Sequence, residues 1–173
     1  MMLLEEIAIR TISVVGGADS TPQTLEFAER VGESVAKHGA ALICGGLGGV
    51  MEAACKGAKK YDGLTVGLLP TNSKSDANPY VDVAIPTGLG YSRNFLVAKA
   101  SDAVIAIGGA AGTLSEMAIA WFSDRPIVAI ASSGGWAQKL AGTKIDDRRE
   151  DQVYAAETPE EALSIIAKIL DWK

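Results

Sequence analysis

Two short stretches of this 173-residue chain carry side chains able to do chemistry beside glycine. The first, "TGLGYSRN" (87–94), brings a glycine-rich approach up to Arg93 and Asn94. In the first turn of a helix these two are placed to reach a bound anion. The second, "GGAAGTLSE" (108–116), holds Gly108, Gly109, Gly112, Thr113 and Glu116. It reads either as a phosphate cradle with a catalytic carboxylate beside it or as a plain helix start. In the plain reading Thr113 caps the helix and Glu116, three residues on, reaches back to the cap's own N–H. Leu114, Met117, Ala118 and Trp121 then share the apolar face, and Glu116 points away from it. "TPEEA" (158–162) repeats the Thr-x-x-Glu spacing without glycines, so the spacing alone says helix start. The glycine run is what distinguishes 108–116.

Two further turns resemble this one in placement. "VVGGADS" (14–20) offers Gly16 and Gly17, and "ICGGLGGVM" (43–51) offers Gly45, Gly46, Gly49 and Met51. Glycine lets a ligand approach the backbone closely. The helix that follows each turn presents unpaired N–H groups and a positive dipole end to an anion. Neither "GGLGGV" nor "GGAAGT" has the G-x-G-x-x-G spacing or the Lys-Ser/Thr of a P-loop, which argues against NAD binding and ATP hydrolysis.

The elements that position these turns alternate along the chain. Apolar, β-branched runs at 10–15, 40–44, 64–70, 80–86, 102–107, 125–131 and 152–156 read as strands. Helical patterns at 22–38, 49–60, 91–100, 112–122 and 159–171 separate them, with a short segment around Trp136. Pro22 suits the first helical position after Thr21. Strands without polar alternation, separated by helices, predict a mainly parallel sheet of six to seven strands covered on both faces. This is a Rossmann-like three-layer α/β sandwich, and residues 1–173 read as a single domain. In such a sheet the glycine turns fall at the carboxyl edge, where ligands bind.

Composition narrows the partners. Sixteen Lys and Arg against 21 Asp and Glu leave a net charge of −5, a poor match for the phosphate backbone of nucleic acid. No stretch reaches the ~18 apolar residues of a membrane span, and "MMLLEEIAIR" has acid where a secretory leader has base. A cytoplasmic protein is expected. Cys44, Cys55 and His38 are too few and too scattered for zinc, and no metal site is assigned. The cysteines read as small buried hydrophobes and His38 as the last turn of a helix.

Together the motifs resemble those of the Lonely Guy (LOG) proteins, long mislabelled as lysine decarboxylases. "CGGLGGVMEAACKGA" is similar to the GG-x-x-G-[LV]-M segment of that superfamily, and "GGAAGTLSE" to its PGG-x-GT-x-x-E motif. The bacterial branch similar to molybdenum-cofactor carrier proteins shares the "RN" and "GTLSE" segments. The resemblance covers residues 10–131. It implies either binding of a phosphorylated ligand, a nucleotide or the pterin phosphate of molybdenum cofactor, or hydrolysis of nucleoside 5′-monophosphates to base and ribose 5-phosphate. In the hydrolases Arg93 and Glu116 correspond to the catalytic pair, and Gly109, Gly112 and Thr113 to the phosphate contacts. No required cofactor is implied, and relatives are homodimers or higher oligomers. Four positions depart from the pattern: Gly108 for proline, Ala110 for glycine, Asn94 for lysine and Glu52 for glycine. They favour a carrier or sensor over the hydrolase.

Overall fold

The computed structural model describes residues 9–172, so the first eight residues of the segment read for a leader lie outside it. Seven strands form one parallel sheet: β1 (Thr11–Gly16), β2 (Ala41–Cys44), β3 (Thr65–Leu69), β4 (Val83–Pro86), β5 (Ala103–Ile107), β6 (Ile127–Ile130) and β7 (Tyr154–Ala156). Their order is β4-β3-β2-β1-β5-β6-β7. The chain builds outward from β1 to one edge, returns to the centre at β5 and builds outward to the other. β1 is therefore the hinge of the topology, with Ile12 opposite both Leu42 and Ala103. The crevice between the ends of β1 and β5 is where an open α/β sheet receives ligands.

Successive residues of the buried strands feed opposite layers. Ile12, Val14, Leu42, Cys44, Ile105 and Ile107 pack under α1 (Pro22–Lys37), α2 (Val50–Lys59) and α6 (Pro159–Ile169). Val15, Ile43, Val104, Ala106 and Ala129 pack under α3 (Asn94–Lys99), α4 (Ala111–Phe122) and α5 (Gly135–Leu140). The expected Rossmann-like sandwich is thus the fold. No helix among the described residues is long and apolar enough to cross a membrane.

Of the six α-helices among the described residues, α1 and α6 carry side-chain caps and α2, α3, α4 and α5 do not. Thr21 caps α1 by accepting from Thr24 N–H, with Pro22 in the first turn as expected. Thr158 caps α6 by accepting from Glu161 N–H, while the Glu161 carboxylate accepts from Glu157 N–H at 2.8 Å. His38 ends α1, its Nδ1 2.8 Å from the Ser34 carbonyl. The helices α2 and α4 begin at Gly49 and Ala110 with no side-chain cap. Both start beside the crevice.

The helix start at 108–116 corrects the capping-box reading. Gly108 and Gly109, at φ +56° and +87°, turn the chain so early that Ala111 is already helical and Thr113 is the third residue of α4. The buried stripe is Thr113, Glu116, Met117, Ala120 and Trp121, with Leu114 and Ala118 half-buried. Glu116 therefore faces inward. The stripe runs past the end of the sheet into the crevice, where its first two members can be polar.

Candidate functional site

The crevice is a cleft of about 210 Å³. Gly16, Gly17 and Ala18 form one side of it, Gly45 and Met51 another, and Ala110, Gly112, Thr113 and Glu116 a third. Arg93, Asn94 and Tyr91 complete it from the segment before α3. That segment is a 3-10 turn (Gly90–Arg93) running directly into α3, which delivers Arg93 inward at 8% exposure.

Arg93 is the charge of the site, and its surroundings fix it without satisfying it. Its Nη1 donates to Asn94 Oδ1 at 2.8 Å and to Glu116 Oε1 at 3.4 Å. Its Nε is buried without a partner. Asn94 is held in turn: its Nδ2 donates to Ser115 Oγ at 2.9 Å, and Ser115 Oγ donates to the Gly112 carbonyl at 2.6 Å. A chain of hydrogen bonds thus ties Arg93 to the first turn of α4.

Glu116 is 6% exposed. Burial penalises its charged form and carries its pKa from 4.5 up to about 7, against a smaller opposing pull from the Arg93 charge. The two partners shape that balance differently. The 3.4 Å contact is a long one for a charge-assisted pair, so desolvation wins. The carboxyl is poised to hold or release a proton near neutrality, the range in which general acids and bases work.

The glycines divide by task. Gly45 packs against Arg93 so closely that a Cβ would strike the guanidinium. Gly16 lies in the cleft wall, where a Cβ would sit 2.7 Å from the Ile107 carbonyl. Gly46 and Gly49 are not in the cleft wall. Both have positive φ, with Gly46 against Leu69 and Gly67 and Gly49 against the Ala18 backbone. Gly108 and Gly109 line a neighbouring hollow of about 390 Å³, on the far side of Ala110, with Thr24 and Ser133. Their turn is clamped from downstream. Gly108 N–H donates to Ser133 Oγ at 2.7 Å, and Trp136 and Ala137 N–H donate to the Gly109 and Gly108 carbonyls.

Of the residues singled out in the sequence, Gly16, Gly17, Gly45, Met51, Arg93, Asn94, Gly112, Thr113 and Glu116 meet at one cleft. Glu52 is half-buried in the first turn of α2 and does not line it. Ala110, noted in the sequence as a departure from the motif, lines it too; Tyr91 and Ala18 line it without having been singled out, and Ser115 supports it. The aromatic two residues before Arg93 was a readable signal for Tyr91. Ser133, held in the loop after β6, had none.

The sequence and the fold have counterparts among known proteins. The molybdenum cofactor binding protein from the phototrophic bacterium Rippkaea orientalis superposes with a TM-score of 0.85 at 36% identity, over 95% of this chain and 99% of that one. The molybdenum cofactor carrier protein from Chlamydomonas reinhardtii gives 0.82 at 33% identity, over 94% and 99%. A cytokinin riboside 5′-monophosphate phosphoribohydrolase of Mycobacterium tuberculosis is 30% identical across 93% of this chain and 90% of its own length. These are LOG-like proteins and their carrier-like relatives, as the motifs implied. Residues 9–163 match the model of the SLOG cluster4 family, and with that match across the whole cleft-bearing sheet the chain belongs to that family.

Proposed function

We propose that the chain binds a phosphorylated small molecule, a nucleotide or a pterin phosphate of the molybdenum-cofactor type, as a carrier or sensor. The observation that carries the reading is the buried Arg93 lining the cleft, held by Asn94 and Glu116, together with an α4 N-terminus that no side chain caps. Anions are favoured at such an end because its N–H groups and dipole both face them. Gly112 and Thr113 supply the backbone there, Gly16, Gly17 and Gly45 let the ligand come close, and Met51 offers an apolar floor. Gly46, Gly49, Gly108 and Gly109 act one step back by shaping these turns. The carrier-like relatives, at 36% and 33% identity, support the reading. No other cofactor is required by it.

A second reading rests on Glu116. A carboxyl titrating near 7 beside an arginine suits hydrolysis of a nucleoside 5′-monophosphate, the activity named for the Mycobacterium tuberculosis relative. Water would bond to the sugar carbon as its bond to the base nitrogen breaks. Glu116 would hand its proton to the departing base and, then ionised, stabilise the positive charge on the sugar and take up the proton the attacking water gives off. Arg93 would hold the phosphate, which fixes the sugar against the carboxyl.

The exposed Leu96 and Phe122 support assembly into a homodimer or higher homo-oligomer through α3 and α4. Sedimentation of the purified chain tests that. For the ligand, a panel of nucleoside 5′-monophosphates and pterin phosphates is scored by thermal shift and by chromatography of free base, with Glu116→Gln alongside. Stabilisation without base release is the expected result. Base release that vanishes in the variant would replace the carrier reading with the hydrolase, and no response to any compound would sink both.

A further inference from the structure

The cleft beside Arg93 is smaller than the roughly 300–1,000 Å³ of pockets that enclose whole ligands. It shares Tyr91, Asn94, Ala110 and Gly112 with a second hollow of about 830 Å³ beside it. Phe95 and Ile119 also line that hollow. The two spaces differ in chemistry. The inner one carries Arg93, Thr113 and Glu116, and the outer one is mostly aromatic and aliphatic. Tyr91 stands at their junction with 91% of its surface in water, the most exposed large apolar side chain among the described residues. It follows a turn whose Gly88 and Gly90 have φ of +66° and +55°, and a Cβ at Gly90 would meet nothing within 4 Å. A ring left this open does not hold the fold together.

We propose that Tyr91 is the stacking partner for the flat ring of the bound ligand. The phosphate end occupies the inner cleft at Arg93 and the start of α4. The planar heteroaromatic end lies in the outer hollow, one face on Tyr91 and its edge toward Phe95 and Ile119. The inference rests on the ligand reading above and adds that the ligand is bipartite, with Tyr91 selecting for its ring. Purine nucleotides and pterin phosphates share that chemistry. Stacking suits both because each has an extended π-face.

The test titrates the full chain, Tyr91→Ala and Tyr91→Phe with adenosine 5′-monophosphate, 6-hydroxymethylpterin monophosphate and ribose 5-phosphate, by calorimetry. Sedimentation is run on the same samples. Tyr91→Ala is expected to weaken the ring-bearing ligand by about ten-fold or more, the usual scale for removing a base-stacking side chain. Tyr91→Phe should stay within about two-fold of the parent because the π-face is kept. Ribose 5-phosphate, which has no ring system to stack, should bind all three proteins alike. Whichever heterocycle shows the loss identifies the ring. Equal losses for ribose 5-phosphate, no loss for any compound, or a loss that accompanies a change in assembly mass would overturn the proposal, the last by assigning Tyr91 to a contact between copies. If the parent chain binds none of the three, the ligand reading fails and this inference with it. Binding of all three without any effect of Tyr91 overturns this inference alone.

Discussion

Replacing Glu116 with glutamine and following thermal unfolding from pH 4 to pH 8 measures what burying that carboxyl costs. In the folded chain Glu116 titrates near 7, above its ordinary 4.5. Below 4.5 both folded and unfolded chains hold the proton, and the group takes nothing from stability. As pH climbs from 4.5 to 7 the unfolded chain releases the proton while the folded chain keeps it, so stability falls, and above about 7 the loss is complete. At about 1.4 kcal/mol per pH unit the whole window is worth about 3 kcal/mol. A domain of this size moves by about 2–4 °C in Tm for each kcal/mol. The parent's Tm relative to Glu116→Gln should therefore drop by about 6–12 °C between pH 4 and pH 8, read by calorimetry or circular dichroism. Any pH-independent effect of glutamine on Arg93 cancels from that slope, and titrations elsewhere are common to both proteins. Parallel profiles would refute the reasoning, because they would mean that solvent or Arg93 compensates the buried charge in full.

Three other substitutions separate the site from its scaffold. Gly45→Ala drives a methyl into the Arg93 guanidinium; the expected result is a loss of about ten-fold or more in affinity for ribose 5-phosphate, with Tm moved by less than about 3 °C, checked by calorimetry and thermal melting. Gly49→Ala puts a Cβ onto the Ala18 backbone at a φ of +67°, and it should lower Tm by about 6 °C or more. Thr158→Ala removes the α6 cap and should cost about 1 kcal/mol, visible as a small drop in Tm with ligand affinity unchanged.

The order of strands and helices was readable because the signals are local. Short, β-branched, unalternating apolar runs that end at glycine, such as "AVIAI", fit a strand buried on both faces, and Thr21-Pro22 and Thr158-Pro159 announce their helices with capping chemistry that the fold retains. The site was readable in its parts, since Arg93, Asn94, Thr113 and Glu116 stood beside glycine in sequence. What the sequence misplaced was the face of α4. The Thr-x-x-Glu spacing at 113–116 matches that at 158–161, yet positive φ at Gly108 and Gly109 starts the helix early enough to leave Thr113 inside it. Likewise the glycines of "GGLGG" look alike in one dimension. Only their neighbours tell Gly45, against Arg93, from Gly46 and Gly49, against Leu69 and Ala18. Such distinctions depend on contacts between residues distant in the chain, and no local pattern encodes them.

The clamp on the turn after β5 has a consequence for how a ligand is received. With Ser133, Trp136 and Ala137 already bonded to Gly108 and Gly109, that turn is preorganised. Its ordering entropy is settled when the chain folds rather than when the ligand arrives, which favours tight binding and fast capture. On the ligand reading proposed above, the 131–137 segment would bear on affinity from a distance. A change there touches no ligand atom, yet it would loosen the backbone that launches α4 and so weaken binding from outside the cleft.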